Sequence, residues 1–361
     1  VQLQNPAQSE SQESHPTLLF KPCQPPPPLK PGDRLRVIAP SGALREFEAF
    51  ERGVEIWRSR GYQVEITTGI DRRWGYLAGT DASRRQQLLD AWKDPKCHGI
   101  LCARGGYGSA RILEDWTWGV QETGGKRDKG DKGDKGDKEK YSSSLAPYPT
   151  LREAAGASTP LAPPKWLIGF SDITVLLWSL SQVGVSGVHA PVVTTLAFEP
   201  DWSIQRLFDW VEGRPIAPLE GTGWGGGVVS GILLPANLTV ATHLLGTPIQ
   251  PDLDGVILAL EDVTEAPYRI DRLLTQWRLS GVLSKVRGIA LGRFSRCEPP
   301  LNIPSLTIEE VLRDRLGDLG IPIVSDLPFG HDGPNAALPV GVLATVDADR
   351  GVLNFPLFSD I

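Results

Sequence analysis

The chain has 361 residues, 40% of them apolar, and a formal net charge of −6. That length supports about two domains with real cores, and the negative balance argues against nucleic acid or an anionic membrane as the main partner. No apolar run approaches the ~20 residues of a membrane span, and residues 1–30 show neither the basic start nor the apolar core of an export signal, so a cytoplasmic protein is expected. Cys23, Cys97, Cys102 and Cys297 have neither Cys-x-x-Cys spacing nor a pattern with histidine, which predicts a reducing compartment and no structural metal.

Residues 1–30 are polar and then proline-rich, with Pro25 to Pro28 in a row, and are expected to form a disordered tail. Pro31-Gly32-Asp33 turns into a first strand over 34–39. A helix is expected over 46–60, with Gly61 as its C-terminal cap, then a strand over 64–67. Leu88, Leu89 and Trp92 share one face of a helix over 81–92. A third strand over 99–102 runs into Arg104-Gly105-Gly106-Tyr107-Gly108 and a helix over 109–115. A glycine cluster at the carboxyl end of a strand is where α/β sheets build ligand sites. It is neither a P-loop nor a full dinucleotide fingerprint. Residues 124–140 repeat Gly-Asp-Lys without an apolar side chain, so a disordered insertion is expected, extending over about 120–160.

The stretch 165–177 carries most of the chemistry. Trp166, Leu167 and Ile168 read as a buried parallel strand, Gly169 interrupts it, and Ser171-Asp172 stands where a helix with Ile173, Leu176, Leu177 and Leu180 begins. Strand, tight turn, serine and helix is the layout of a nucleophile elbow, although the second glycine of the usual Gly-x-Ser-x-Gly form is missing. An ordinary helix N-cap is the competing reading of Ser171. A further strand is expected over 185–189.

Beyond it a helix around Trp202, Leu207 and Trp210 gives way to proline and glycine, and 206–227 reads as an interdomain linker ending in Gly223-Trp-Gly-Gly-Gly227. A second domain over 228–361 would open with a strand to Leu234. Asn237 would cap a helix, 256–260 would be a buried strand ending at Glu261-Asp262, and 267–279 an amphipathic helix. Strands over 286–291 and 321–324 follow, then the loop Gly330-His331-Asp332-Gly333-Pro334-Asn335, and a closing hairpin over 342–346 and 352–355.

If Ser171 is a nucleophile it needs a base, and the chain has five histidines. His15 lies in the tail, His98 precedes a strand on the wrong side, and His243 falls in an apolar helix, where a core histidine is expected. His189 ends a strand and could line a site. His331, in a glycine-rich loop after a strand, is the best placed. Glu261 would emerge at the carboxyl end of a strand and could orient that imidazole. Asp262, Glu265 and Asp271 compete for the role.

Several motifs in fixed order now carry a resemblance: Pro31-Gly-Asp33, Ala39-Pro-Ser-Gly42, Gly75-Tyr-Leu-Ala-Gly79, Arg104-Gly-Gly-Tyr-Gly108, Gly169-Phe-Ser-Asp172, Leu260-Glu-Asp262, Pro267-Tyr-Arg-Ile-Asp-Arg272, Gly330-His331, Asn335 and Leu338-Pro339-x-Gly341. Together they resemble the LD-carboxypeptidase family of serine peptidases. The resemblance implies Ser171 as nucleophile, Glu261 as acid and His331 as base. It also implies a Rossmann-like parallel-sheet N-terminal domain (31–205), a smaller mixed α/β C-terminal domain (228–361), and a homodimer. No cofactor or metal is implied. The expected reaction is hydrolysis of the amide bond before a C-terminal D-amino acid, on murein tetrapeptides. Immunity to microcin-type peptide–nucleotide antibiotics, a catalytically inactive peptidoglycan-peptide binder, and a hydrolase for another amide or ester stay open beside it. The backbone N–H of Asp172, with Gly105 or Gly106, would hold the oxyanion, and Arg104 is the candidate for the substrate carboxylate. One departure stands out: Leu234-Pro-Ala-Asn-Leu238 replaces the family's usual Gly-Gly-Asn-Leu turn.

Overall fold

The computed structural model describes residues 22–118, 163–299 and 301–355. Short apolar strands alternating with helices build the first sheet. Strands β1 (Arg34–Ile38), β2 (Gln63–Ile66), β3 (Cys97–Cys102), β4 (Trp166–Gly169) and β5 (Val188–His189) run parallel in the order β5-β4-β3-β1-β2. All of β4 is buried, as a strand in a helix-covered parallel sheet must be. The chain leaves β1 toward β2 on one side and returns to β3 on the other. That reversal opens a crevice at the carboxyl ends of β1 and β3, the usual place for a ligand in such sheets.

The second sheet is mixed. Strands β6 (Leu219–Glu220), β7 (Thr222–Trp224), β8 (Val228–Asn237), β9 (Val256–Val263), β10 (Gly288–Ser295), β11 (Ile323–Ser325), β13 (Leu343–Asp347) and β14 (Val352–Asn354) stand in the order β6-β14-β13-β8-β9-β10-β11-β7. Its centre, β8 to β11, is parallel, and its flanks are antiparallel. The remaining strand, β12 (Leu338–Pro339), crosses back and pairs antiparallel with β5, setting Leu338 opposite His189. The α/β class with a parallel first sheet and a mixed second sheet is therefore as the sequence indicates.

Three expectations are corrected. The part of the anticipated tail that is described, 22–30, is laid down as extended chain. Cys23 and Leu29 are buried, Cys23 N donates to Gly341 O at 2.7 Å, Leu29 N donates to Val211 O at 2.8 Å, and Trp166 Nε1 donates to Pro27 O at 2.9 Å. Consecutive prolines cannot donate, but their carbonyls still accept, so a proline-rich strap can be pinned where partners exist. The anticipated linker is also structured. The helix Asp201–Val211 buries Leu207, Phe208 and Trp210, with Phe208 at 4.7 Å from Trp57. Residues 219–224 supply the two edge strands of the second sheet; the turn at 212–213, the irregular chain over 214–218 and the glycines at 225–227, all at positive φ, lie outside regular elements. The helix expected over 109–115 shrinks to one short turn, Ala110–Leu113, ended by Asp115 in the left-handed region (φ 55°). The expected insertion at about 120–160 and residues 1–21 lie outside the described residues.

The two sheets share a core. Ile38, Ile100, Leu167, Phe170 and Trp178 from the first half belong to one buried cluster with Ile232, Leu234, Leu258, Leu260 and Trp277 from the second. Polar ties reinforce the seam: Trp178 Nε1 donates to Pro235 O at 3.0 Å, and Asn237 N donates to Thr174 Oγ1 at 3.0 Å. The altered Pro235-Ala236 pair, expected in a turn, is instead part of β8, paired with Ala259 and Leu260 of β9, and lies in this seam. Among the described residues no helix is long and apolar enough to cross a membrane. A core that crosses both halves should melt as a unit. Differential scanning calorimetry is expected to show one cooperative transition, and halves separated at Gly225 should each be unstable alone; two well-resolved transitions would contradict the shared core.

Candidate active site

At the end of β4 the backbone turns through Phe170 (φ −147°) into Ser171 at φ 63°. A serine in the left-handed region costs on the order of 1–3 kcal/mol and persists only where its surroundings impose it. Here they do. The turn Ser171–Ile173 continues directly into the buried helix Thr174–Ser181, so the hydroxyl sits on a sharp strand-to-helix corner. Gly105 shows how closely the glycine turn approaches it. A Cβ on Gly105 would lie 3.1 Å from Ser171 Cβ and 3.2 Å from its Oγ, so only glycine lets this backbone face the hydroxyl without pushing it aside.

Asp172 fixes the corner. Its Oδ2 accepts from Ser41 Oγ at 2.7 Å and Ser109 N at 2.8 Å, while Ser109 Oγ donates to Asp172 O at 2.5 Å. One buried side chain thereby joins the loops after β1, β3 and β4. Sequence reasoning gave Asp172 a backbone role only; the structure adds this one. Arg104 lies beside the same loops. A Cβ on Gly42 would meet its guanidinium at 2.5 Å, and its Nε stands 3.3 Å from Glu46, so its charge already has a half-exposed partner.

The second sheet delivers Glu261 from within β9, two residues before it ends at Val263 rather than just beyond it, and fully buried. Its Oε2 stands 2.7 Å from His331 Nδ1, and its Oε1 accepts from Asn237 Nδ2 at 3.2 Å. With Glu261 ionised, Nδ1 carries the proton and Nε2 is left with its lone pair. Burial by itself would lower the pKa of His331, but the charge and hydrogen bond of Glu261 outweigh it and hold the value above the ordinary one. The imidazole packs on Phe170, ring centroids 4.7 Å apart, which brings it against the residue preceding Ser171. Among the described residues Ser171 Oγ makes no hydrogen bond to the imidazole; such contacts often tighten only around a substrate.

Arg293, Ser295 and Glu199 escaped the sequence, and Asn335 stood there only as a motif residue without a role. Arg293 donates from Nε to His331 O at 3.0 Å and from Nη2 to Gly330 O at 3.1 Å, and also to Pro334 O. Ser295 Oγ donates to His331 O at 2.5 Å. Asn335 Oδ1 accepts from Gly330 N at 2.9 Å, and Asn335 N donates to Glu199 Oε2 at 2.8 Å. Glu199 comes from the first half, and burial raises its pKa. The only signal was a charged residue inside an apolar strand run, Ile289-Ala-Leu-Gly-Arg293. Asn237 does cap its helix, accepting from Val240 N at 3.1 Å, but its hold on Glu261 was not foreseen.

The competing residues fall elsewhere. Asp262 is buried and pushed up to about 6, chiefly by that burial, and its Oδ2 accepts from Thr239 N at 2.8 Å and Thr239 Oγ1 at 2.7 Å. Glu265 and Asp271 pair with Arg269 and Arg315. His189 is fully buried, 5.8 Å from Phe170 and 6.3 Å from Phe329, ring to ring. Burial pushes it down to about 4, and neither ring nitrogen has a partner among the described residues. His98 Nδ1 accepts from Arg34 N at 3.2 Å, at the far end of β3. His243, expected in a core, is exposed: Leu238, Ala241 and Leu244 turn inward and leave it on the opposite face.

A parallel sheet with a strained serine on the strand next to its switch point, and a buried carboxylate–imidazole pair packed on the residue before that serine, fits a serine-hydrolase architecture. Two family descriptions match: LD-carboxypeptidase N-terminal domain over residues 35–126 and LD-carboxypeptidase C-terminal domain over 230–346. The chain belongs to the LD-carboxypeptidase family of serine peptidases. Ser171 lies outside both matched spans, whereas Glu261 and His331 lie within the second. A Synechocystis sp. protein provisionally named a carboxypeptidase is 54% identical over 91% of this chain and 96% of its own length. The murein tetrapeptide carboxypeptidase of Pseudomonas aeruginosa is 28% identical, over 88% and 94%. Among solved structures, muramoyltetrapeptide carboxypeptidase from Oxalobacter formigenes superposes with a TM-score of 0.69 at 26% identity, covering 89% of this chain and 97% of that one. The microcin C7 self-immunity protein MccF, at 20% identity and a TM-score of 0.72 over 92% and 98%, shares the fold.

The loop carrying His331 gives a stability test. Arg293→Ala leaves the Gly330 and Pro334 carbonyls without their donor, while Ser295 still serves His331 O; an unpaired group out of water costs on the order of 1–3 kcal/mol, so thermal melts should fall by several degrees. Glu199→Gln keeps an acceptor for Asn335 N without burying a charge and should melt at or above the wild type. Glu199→Ala should melt below it.

Proposed function

We propose that this protein is an L,D-carboxypeptidase acting on murein tetrapeptides, with Ser171 as nucleophile, His331 as general base and Glu261 as the group that orients it. The single observation that carries the assignment of roles is the buried Glu261–His331 hydrogen bond, set against the strained Ser171 corner through Phe170. The substrate class rests on the likeness to the murein and muramoyltetrapeptide carboxypeptidases.

In this reading His331 Nε2 removes the Ser171 proton as Oγ attacks the carbonyl before the terminal D-alanine. The carbonyl π electrons move to oxygen, and the N–H of Asp172, with that of Gly105 or Gly106, receives the oxyanion. One such donor contributes on the order of 3 kcal/mol to lowering the barrier. Collapse breaks the C–N bond, His331 returns its proton to the departing amine, and water hydrolyses the acyl-enzyme by the same route. Arg104, on the rim of the same loops, takes the free carboxylate of the substrate. The nucleophile belongs to residues 31–205 and the other two groups to 228–361. A homodimer and a cytoplasmic site of action complete the reading.

Mass spectrometry with murein tri-, tetra- and pentapeptides tests the substrate. The tetrapeptide alone should lose D-alanine, and indifference to all three would overturn the assignment. A phosphonofluoridate should label Ser171 covalently. Ser171→Ala and His331→Ala should each remove nearly all turnover, with combined effects far from additive, whereas His189→Ala should be mild. A dead His189 variant beside an active His331 variant would show the base to be misassigned.

The pH dependence follows from the raised pKa of His331. The base works only when neutral, so kcat/KM should rise with pH through an inflection above the ordinary ~6.5 of histidine. Stability runs the other way. The ion pair contributes fully below the unfolded pKa, and that contribution is lost as pH rises through the raised folded value. Glu261→Gln should move the activity inflection downward while lowering its plateau; an unmoved inflection would separate Glu261 from the base.

A further inference from the structure

The helix Asp81–Lys93 turns Leu88, Ala91 and Trp92 into the core, and one turn before Leu88 the same face carries Arg84, wholly out of water. A buried charge is costly unless its protons are answered, and the answering groups are informative. Nη1 donates to Gly108 O at 2.7 Å and also to Pro40 O, while Nη2 donates to Asp81, a partly exposed carboxylate at the start of the helix. Pro40 and Gly108 belong to the loops after β1 and β3. The residues that follow them, Ser41 and Ser109, are the two that donate to Asp172 Oδ2 beside Ser171. The peptide group joining Gly108 to Ser109 is thus gripped at both ends, its carbonyl by Arg84 and its N–H by Asp172. A cation at the oxygen and an anion at the N–H suit the dipole of that peptide. Glycine is required there: a Cβ on Gly108 (φ 124°) would lie 2.9 Å from Arg84 Nη1 and closer still to Leu77.

The turn that ends at this grip is the one whose Gly105 faces Ser171. Gly105 O accepts from Gly42 N at 3.2 Å, but the N–H groups of Gly105 and Gly106 make no backbone hydrogen bond among the described residues. Three glycines within residues 105–108 give the turn wide conformational freedom, so its donors have to be aimed from outside it. Resting on the serine mechanism proposed above, we infer that Arg84 is a positioning residue for that reaction: from the core side it holds the turn over 105–108 against the serine corner, with the turn's N–H groups preset for the oxyanion. It acts through the peptide 108–109 and not on the reacting atoms. Donors fixed in advance lower the barrier because nothing has to reorganise as charge develops on the carbonyl oxygen.

The test uses the full chain and the rate at which a phosphonofluoridate labels Ser171, because that rate needs the nucleophile and the oxyanion site but no particular peptide. Arg84→Met removes the guanidinium and should slow labelling about a hundredfold, the scale of one lost oxyanion donor, while the pH inflection set by His331 stays at its wild-type position. On the tetrapeptide the same variant should lose kcat with KM nearly unchanged. Arg84→Lys, which keeps the charge and can serve one carbonyl, should be intermediate, and it decides the matter if the Met variant fails to fold. Wild-type labelling by a folded variant, a displaced inflection, or a loss carried by KM overturns the role of Arg84. A wild type that labels at Ser171 but spares the tetrapeptide overturns the murein substrate, and the labelling rates still decide Arg84. A wild type that does not label overturns the serine mechanism and the role of Arg84 with it.

Discussion

The contact on which the rest depends is the hydrogen bond between a fully buried Glu261 carboxylate and the imidazole of His331. A carboxylate taken wholly out of water is costly unless each oxygen is answered. His331 answers one and Asn237 the other. That requirement fixes where β9 must end, why the helix Leu238–Leu244 begins beside it, and why the loop at 330–335 is tied down by Arg293, Ser295 and Asn335. The imidazole is placed by a network, not by its own short loop.

The serine corner is placed by a different means. Ser171 holds a left-handed backbone, and among the described residues its side chain makes no hydrogen bond that would stabilise it. The strain is carried by β4 on one side, a buried helix on the other, and Asp172 tying in the loops from β1 and β3. The loop at 330–335 is anchored to the first half by Glu199 as well. Because the two sheets share one core, the separation between serine and imidazole is a property of the whole molecule. A chain that brings positions 171, 261 and 331 toward one another needs such a seam. The Pro235-Ala236 end of β8 ties that seam through the Pro235 carbonyl, which accepts from Trp178.

The sequence by itself determined the elements with strong local signals. Buried apolar strands at β3, β4 and β9, the helices Asp81–Lys93 and Pro267–Leu279, and the strand–turn–serine–helix corner all follow from periodicity, capping residues and glycine placement. Those signals act over a few residues, so they are legible along the chain. The ordered strap at 22–30, the edge strands within 219–224 and the return of β12 to the first sheet were decided only in three dimensions, because each is held by partners more than a hundred residues away. The same reason separates the two kinds of site residue. Ser171, Glu261 and His331 stand at or near the ends of recognisable elements, and their motifs name them. Asn237, Arg293, Glu199 and the side chain of Asp172 act through hydrogen bonds to groups remote in sequence, and only the folded core sets them within reach.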